Sequence, residues 1–132
     1  MRITHSMLFG AVMAAGLAAP TAALADGDAV AGAKVFKKCA ACHVADEAKN
    51  RVGPHLVDIV GRPVASVDGY KYSSAMTEHA NEVPEWTEEA LDEYLRDPRG
   101  VVKGTKMAFA GLKKDDEVAN VIAYLKDPSA AE

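Results

Sequence analysis

Cysteine is scarce in this sequence: Cys39 and Cys42 are the only two among 132 residues. The multi-bridge disulfide framework that staples many small exported domains is therefore excluded, because it takes several pairs. Positive charge is also short, with 15 Lys and Arg against 19 Asp and Glu. That balance excludes general nucleic-acid binding, which needs a basic surface to meet phosphates. No internal repeat and no low-complexity tract follows the amino-terminal segment. No segment alternates apolar and polar residues between hairpin turns, so an all-β architecture has no support. Beyond residue 25 no apolar run is long enough to span a bilayer.

What is present begins with an export signature. Arg2 gives a positive start, Met7 to Leu17 is apolar and uncharged, and Ala23-Leu24-Ala25 supplies a small-x-small cleavage pattern. A retained membrane anchor is the competing reading, but the run is short and broken by glycine and Pro20. Residues 1–25 thus read as a cleaved signal peptide and 26–132 as one domain, delivered to the periplasm as a soluble protein. Losing Arg2 leaves 14 basic against 19 acidic residues, a net charge of −5.

The domain reads as all-α with long loops. Asp28 can cap a helix over roughly Ala29 to Lys38, with Ala29, Ala33, Phe36 and Ala40 at helical spacing. Gly32 on that face is costly unless something packs against it closely. From Val44 to Tyr72 periodicity is lost and turn pairs take over: Gly53-Pro54, Gly61-Arg62-Pro63 and Asp68-Gly69. So long a loop makes sense if it wraps a cofactor. Ser73-Ser74 can cap a short helix through His79. Thr87 followed by two glutamates opens another helix, with Leu91, Tyr94 and Leu95 on one face and Pro98 as its stop. A loop with Gly100, Gly104 and Gly111 follows. Asp115-Asp116-Glu117 then starts a last helix whose apolar face is Val118, Val121, Ile122 and Leu125.

Cys39-Ala40-Ala41-Cys42-His43 is the pattern of covalent haem attachment. Two thiols three residues apart near a helix end face one side, where both can add to the vinyl groups of a single haem. The next residue, His43, then offers a nitrogen to the iron. Three alternatives compete. A thioredoxin-like dithiol needs a strand–helix setting that the flanks lack. A structural zinc site needs about four ligands in paired clusters. A disulfide between these cysteines closes too short a loop to staple much.

A haem held by His43 needs a sixth ligand or keeps an open site. Met76, Met107, His55 and His79 are the candidates. Met76 falls in a helical stretch, where methionine is commonly core filler. Met107 lies in the glycine-containing segment from Lys103 to Phe109, a better place from which to aim a thioether.

Taken in order, these landmarks resemble the class I c-type cytochromes, the small electron carriers of mitochondria and bacterial periplasm. Gly32 and Phe36 precede the CAACH run; Gly53-Pro54, Gly61-Arg62 and Gly69-Tyr70-Lys71-Tyr72 follow it. Trp86, Glu93-Tyr94-Leu95 with Pro98, Gly104-Thr105-Lys106-Met107 and Ile122-Ala123-Tyr124-Leu125 complete the series. The resemblance implies the cytochrome c fold, three main helices plus short helices and long loops wrapped around one haem c bound through Cys39 and Cys42. It implies Met107 as the second axial ligand, a Pro54 carbonyl on the outer nitrogen of His43, and a Tyr94 hydrogen bond to the Met107 sulfur. Arg62, Tyr72 and Trp86 would satisfy the haem propionates, and Gly32 and Tyr124 would mark a close helix crossing. It implies a monomeric electron carrier and not an enzyme. The donor would be a quinol–cytochrome c reductase, and the acceptor a cytochrome c oxidase, a photosynthetic reaction centre or a periplasmic reductase. Contact with these membrane complexes would be transient. Lys38, Arg99, Lys106, Lys113 and Lys114 match positions around the exposed haem edge. One departure stands out: Lys103 replaces the family's usual proline, and proline would fix a dihedral there. A looser methionine segment is the expectation, with Met107 yielding to a lysine at modestly alkaline pH.

Overall fold

A computed structural model describes residues 26–131. The expected signal peptide and its cleavage site lie outside the described residues. The described residues form five α-helices and one 3₁₀ turn: α1 Ala29–Phe36, α2 Ser74–Glu82, α3 Glu88–Arg96, α4 Pro98–Val101, α5 Asp115–Lys126 and the turn Pro128–Ala131. Among the described residues there is no strand, only an isolated bridge between Pro63 and Glu85. The all-α class holds.

Local chemistry explains most of the ends. Asp28 takes the N–H groups of Val30 and Ala31 on one carboxylate oxygen, at 2.8 and 3.1 Å. Ser73 and Thr87 do the same for Met76 and Ala90, each at 3.1 Å. Such caps satisfy donors that have no partner inside the helix. Helix α5 has no side-chain cap; its start is favoured by Asp115, Asp116 and Glu117 in the first turn.

Four expectations need correction. α1 stops at Phe36, two residues short of Lys38, because the backbone tightens into i→i+3 bonds from Lys38 to Val35 and from Cys39 to Phe36. Its buried stripe is Gly32, Val35 and Phe36, whereas Ala29 and Ala33 are only half-buried. α2 runs three residues past His79 to Glu82 and ends at Val83, which precedes Pro84 and is driven out of the helical region. Pro98 both stops and starts: α3 closes at Arg96, Asp97 leaves the helical region, and Pro98 becomes the first residue of α4. Gly100 therefore lies in α4, held by the Asp97 carboxylate at 3.0 Å, and not in a loop.

α1 crosses α5 at a very short distance. A methyl on Gly32 would meet the Asn120 carbonyl and stand 2.8 Å from the Tyr124 Cβ, so only glycine lets these backbones approach. Phe36 tilts against Tyr124 with ring centroids 5.1 Å apart. The side chain of Asn120 also accepts from the Asp28 N–H at 2.8 Å, tying the start of α1 to the middle of α5. α3 packs on α5, with Leu91 and Tyr94 facing inward toward Val118, Val121, Ile122 and Leu125. No buried polar or charged residue interrupts this core among the described residues. The long segment between α1 and α2 wraps the other side and is anchored by buried Ile59 and Val64.

Candidate haem site

Between the wrapped segment, α2, α3 and the stretch before α5 lies a cavity of about 460 Å³, within the range of cofactor pockets. Its wall contains the two cysteines and His43 of the CAACH run together with every residue that the resemblance places against the haem: Cys39, Cys42, His43, Pro54, Arg62, Tyr72, Trp86, Tyr94 and Met107. Met76 is also in the wall; His55 and His79 are not.

The turn after α1 sets the cysteines and the histidine. Cys42 and His43 both donate their N–H groups to the Cys39 carbonyl, at 3.0 and 2.9 Å, which brings the three side chains to one side. The two thiols are free. Burial pushes the Cys39 thiol up, against the pull of Lys38. The Nδ1 of His43 lies 2.7 Å from the Pro54 carbonyl. That oxygen can only accept, so Nδ1 carries the proton and Nε2 keeps its lone pair. Burial holds His43 below the usual histidine range; the Pro54 bond opposes this and the Arg62 charge reinforces it. Gly53 closes the other side of the ring: a methyl there would sit 2.8 Å from Nδ1 and 2.9 Å from Nε2. Sequence reasoning took Gly53-Pro54 as a turn and missed this clamp, which no local pattern announces.

Met107 is pinned from two directions. Its N–H donates to Thr105 Oγ1 at 3.2 Å, and the Tyr94 hydroxyl donates to its sulfur at 3.7 Å. Burial raises the Tyr94 phenol above its ordinary value, which keeps it protonated as a donor. Trp86 and Tyr94 are each 6% exposed, and their rings tilt against each other with centroids 5.0 Å apart. Trp86 is held by its backbone as well, donating to the Arg62 carbonyl at 2.9 Å while Gly61 donates to its own carbonyl at 2.8 Å.

Arg62 points both of its terminal nitrogens at backbone, with Nη1 donating to the Val57 carbonyl at 2.9 Å and Nη2 to the His55 carbonyl at 3.0 Å. Its Nε is buried and has no partner among the described residues. An unpaired buried donor in a cavity wall is expensive and points to an anionic acceptor within the cavity. Tyr72 accepts the Val67 N–H at 3.1 Å on its hydroxyl, and its ring meets Tyr70 edge-on at 4.8 Å. Tyr70, which the sequence reading passed over as a site residue, donates to the Val52 carbonyl at 2.8 Å at the cavity rim.

Two of the alternatives to haem do not survive this arrangement. Among the described residues no three His, Cys, Asp or Glu side chains gather to hold a metal ion, which removes a zinc site. A helical setting with no strand among the described residues removes the thioredoxin-like reading. Two adjacent thiols, a histidine with its Nε2 free, an apolar wall and an orphaned cationic donor fit a haem with its carboxylates. The cations expected around the opening are less uniform than the sequence implies. Lys38 is paired with Glu117 at 2.9 Å, and Lys113 is spent on the carbonyls of Arg96 and Ala110, each at 3.0 Å.

Comparison with known proteins agrees. The cytochrome c family profile matches residues 29–128. The chain is 42% identical over 127 residues to cytochrome c2 of Blastochloris viridis, covering 96% of this chain and 95% of that protein. It is 48% identical over 96 residues to cytochrome c-550 of Ancylobacter novellus, covering 72% and 90%. Among solved structures, cytochrome cH from Methylobacterium extorquens matches with a TM-score of 0.69 and 42% identity, over 76% of this chain and 98% of that one. The chain belongs to the cytochrome c family, an electron-transport family whose members carry a covalent haem c, here one haem at Cys39 and Cys42.

Proposed function

We propose that this protein is a periplasmic carrier that shuttles single electrons between membrane redox complexes, with His43 and Met107 as the two axial ligands of its haem iron. The observation that carries the reading is the pair of independently pinned donors in one cavity wall: His43 through Pro54, and the Met107 sulfur through Tyr94. Once bound, haem would supply a one-electron change at iron, and ligation by a methionine and a histidine would raise its potential.

The remaining chemistry is the chain's own. Gly53 and Pro54 fix the His43 ring, so the ligand does not reorganise when the charge at the site changes. Tyr94 and Thr105 fix Met107. Two protein ligands leave no position for a substrate, which suits a carrier and not an enzyme. Trp86, Leu91, Tyr94 and Leu125 keep water from the cavity. Arg62, with Tyr72 and Trp86, meets the haem carboxylates, and its spare Nε is the group best placed to do so.

At the rim, Lys71 and Lys106 are exposed and Val52 is 77% exposed. Lys38 stands beside them with its charge partly met by Glu117. An apolar centre with cations around it steers encounter with acidic partners even on a chain of net negative charge. The donor is a quinol–cytochrome c reductase; the acceptor is an oxidase, a photosynthetic reaction centre or a periplasmic reductase. The carrier works as a monomer and touches these complexes only transiently. Export follows from cleavage after Ala25, which the mass of the mature protein reads directly.

The test is a visible and near-infrared spectrum of the protein expressed with a haem-attachment system. A low-spin spectrum with the weak sulfur–iron band in the oxidised state supports the reading. A high-spin oxidised spectrum without that band refutes Met107 as ligand and with it the carrier role.

A further inference from the structure

His55, one of the candidate iron ligands in the sequence, is not in the cavity wall. It stands instead against the residue with the orphaned donor. A single short stretch holds the guanidinium of Arg62. Nη2 donates to the His55 carbonyl at 3.0 Å, Nη1 donates to the Val57 carbonyl at 2.9 Å, and Nη1 also lies 3.5 Å from Nδ1 of the His55 ring. A guanidinium is a rigid plane, so fixing both Nη atoms fixes the direction of its Nε–H. That Nε is buried, has no partner among the described residues, and belongs to a side chain that lines the cavity.

The ring of His55 ties this stretch together. Its Nδ1 accepts the Val57 N–H at 3.3 Å, while the His55 backbone N–H donates to Asn50 Oδ1 at 3.0 Å. The ring thus sets where Val57 stands, and Val57 carries the carbonyl that receives Nη1. An N–H can only donate, so Nδ1 keeps its lone pair and the neutral ring carries its proton on Nε2. The next residue, Asp58, has φ 51°, left-handed backbone that a non-glycine residue adopts at a cost, so the turn needs ties to persist. Among the described residues Arg62 is the charge that acts on the ring, and Asp58 and Tyr72 act in turn on Arg62. Burial, and then the Arg62 charge, push the ring below the usual histidine range, so at neutral pH the lone pair is in place. A proton on Nδ1 would set N–H against N–H and bring a second cation 3.5 Å from Nη1.

We propose that neutral His55 is a positioning residue for Arg62: its ring closes the turn that grips the guanidinium and keeps the Nε–H on the haem carboxylates, and protonating the ring loosens that grip. The proposal rests on the reading of Arg62 as the partner of those carboxylates.

The experiment uses the reduced holoprotein, which is diamagnetic, and follows by nitrogen-15 NMR how fast the Arg62 Nε–H exchanges with solvent, relative to free arginine at the same pH. At about pH 7.5, where an ordinary histidine is neutral, the wild-type proton should be protected. His55→Asn supplies a side-chain oxygen that accepts an N–H two residues on, as Asn does in turns, and takes up no proton. It should keep the protection. His55→Ala removes the acceptor and should speed exchange on the order of tenfold, about what one hydrogen bond is worth. Lowering the pH to about 5 should cost the wild type the same protection and leave His55→Asn unchanged. Equal exchange in the wild type and His55→Ala overturns the proposal, as does His55→Asn exchanging as fast as His55→Ala. If His55→Ala yields no holoprotein, the pH series decides: wild-type protection that ignores pH, or that falls equally in His55→Asn, overturns the proposal. An Nε–H unprotected in the wild type at every pH defeats the reading of Arg62 itself. One that is protected but ignores residue 55 defeats only the role given to His55.

Discussion

Gly32→Ala should destabilise the holoprotein although alanine is the better helix former. The new methyl would sit 2.6 Å from the Asn120 carbonyl carbon and 2.8 Å from the Tyr124 Cβ, where ordinary contacts begin at about 3.4 Å. Both obstacles are backbone or Cβ atoms of α5, so no side-chain rotation clears them. α1 and α5 must part by something on the order of 1 Å, and a gap of that size forfeits about a quarter to a half of the dispersion at each contact. The buried side chains that face this crossing are Val35 and Phe36 on α1 and Val118, Val121, Ile122 and Leu125 on α5. Overpacking in a dense core costs about 1–3 kcal/mol, and a rigid obstacle places this case at the upper end. Alanine in place of glycine returns about 1 kcal/mol of helix propensity. The net loss is about 2 kcal/mol. Urea unfolding followed by far-ultraviolet circular dichroism would show the midpoint falling by roughly 1 M, given slopes of about 1–3 kcal/mol per molar for small proteins. A midpoint equal to or above that of the wild type would show that the crossing relaxes freely and that Gly32 is not what permits it.

Further predictions concern the site and its surroundings. Tyr94→Phe removes the donor to the Met107 sulfur and should lower the reduction potential by on the order of tens of millivolts, since the hydrogen bond draws charge from the sulfur and favours the reduced state; an unchanged potential by voltammetry would count against that bond. Burial, and then the Arg62 charge, push His55 below the usual histidine range. The unfolded chain therefore binds a proton that the folded protein resists, so stability should be full above about pH 6.5 and decline as the pH falls below it. His55→Asn should flatten that decline in unfolding measured from pH 7.5 to 5, and an unaltered slope would refute the assignment. Val102, before Lys103, sits at φ −114° and ψ 86°, outside the helical region that proline denies to its predecessor. Lys103→Pro should therefore raise the pH at which the sulfur–iron band is lost, by up to about half a unit; a fall would mean that the lysine does not loosen the segment.

What could be read in the sequence is what short-range chemistry decides. Asp28, Ser73 and Thr87 announce three helix starts because a cap bonds to its own next turn. The spacing of Val118, Val121, Ile122 and Leu125 announces α5 because one helix face repeats every three to four residues. The CAACH run announces its cofactor because both thiols and the imidazole must reach one haem from one turn. Helix ends were less legible. Whether Lys37 and Lys38 continue α1 or tighten into a turn depends on i→i+3 bonds that compete closely with helical ones. Pro98 ends one helix and opens another only because Asp97 is free to turn and cap.

Tertiary structure alone decided the remainder, because those contacts join positions far apart in the chain. Glycine at 53 is a turn residue in the sequence and a clamp on the His43 ring in the fold. Met76 reads as core filler and lies in the cavity wall. Lys38 reads as a free docking cation and is shared with Glu117, 79 positions away. Arg62 is assigned to the haem carboxylates by resemblance alone, and only the packed loop shows that its Nε is buried and without a partner among the described residues. Local pattern fixes which elements form and where haem attaches; close packing between distant segments fixes how the ligands are held.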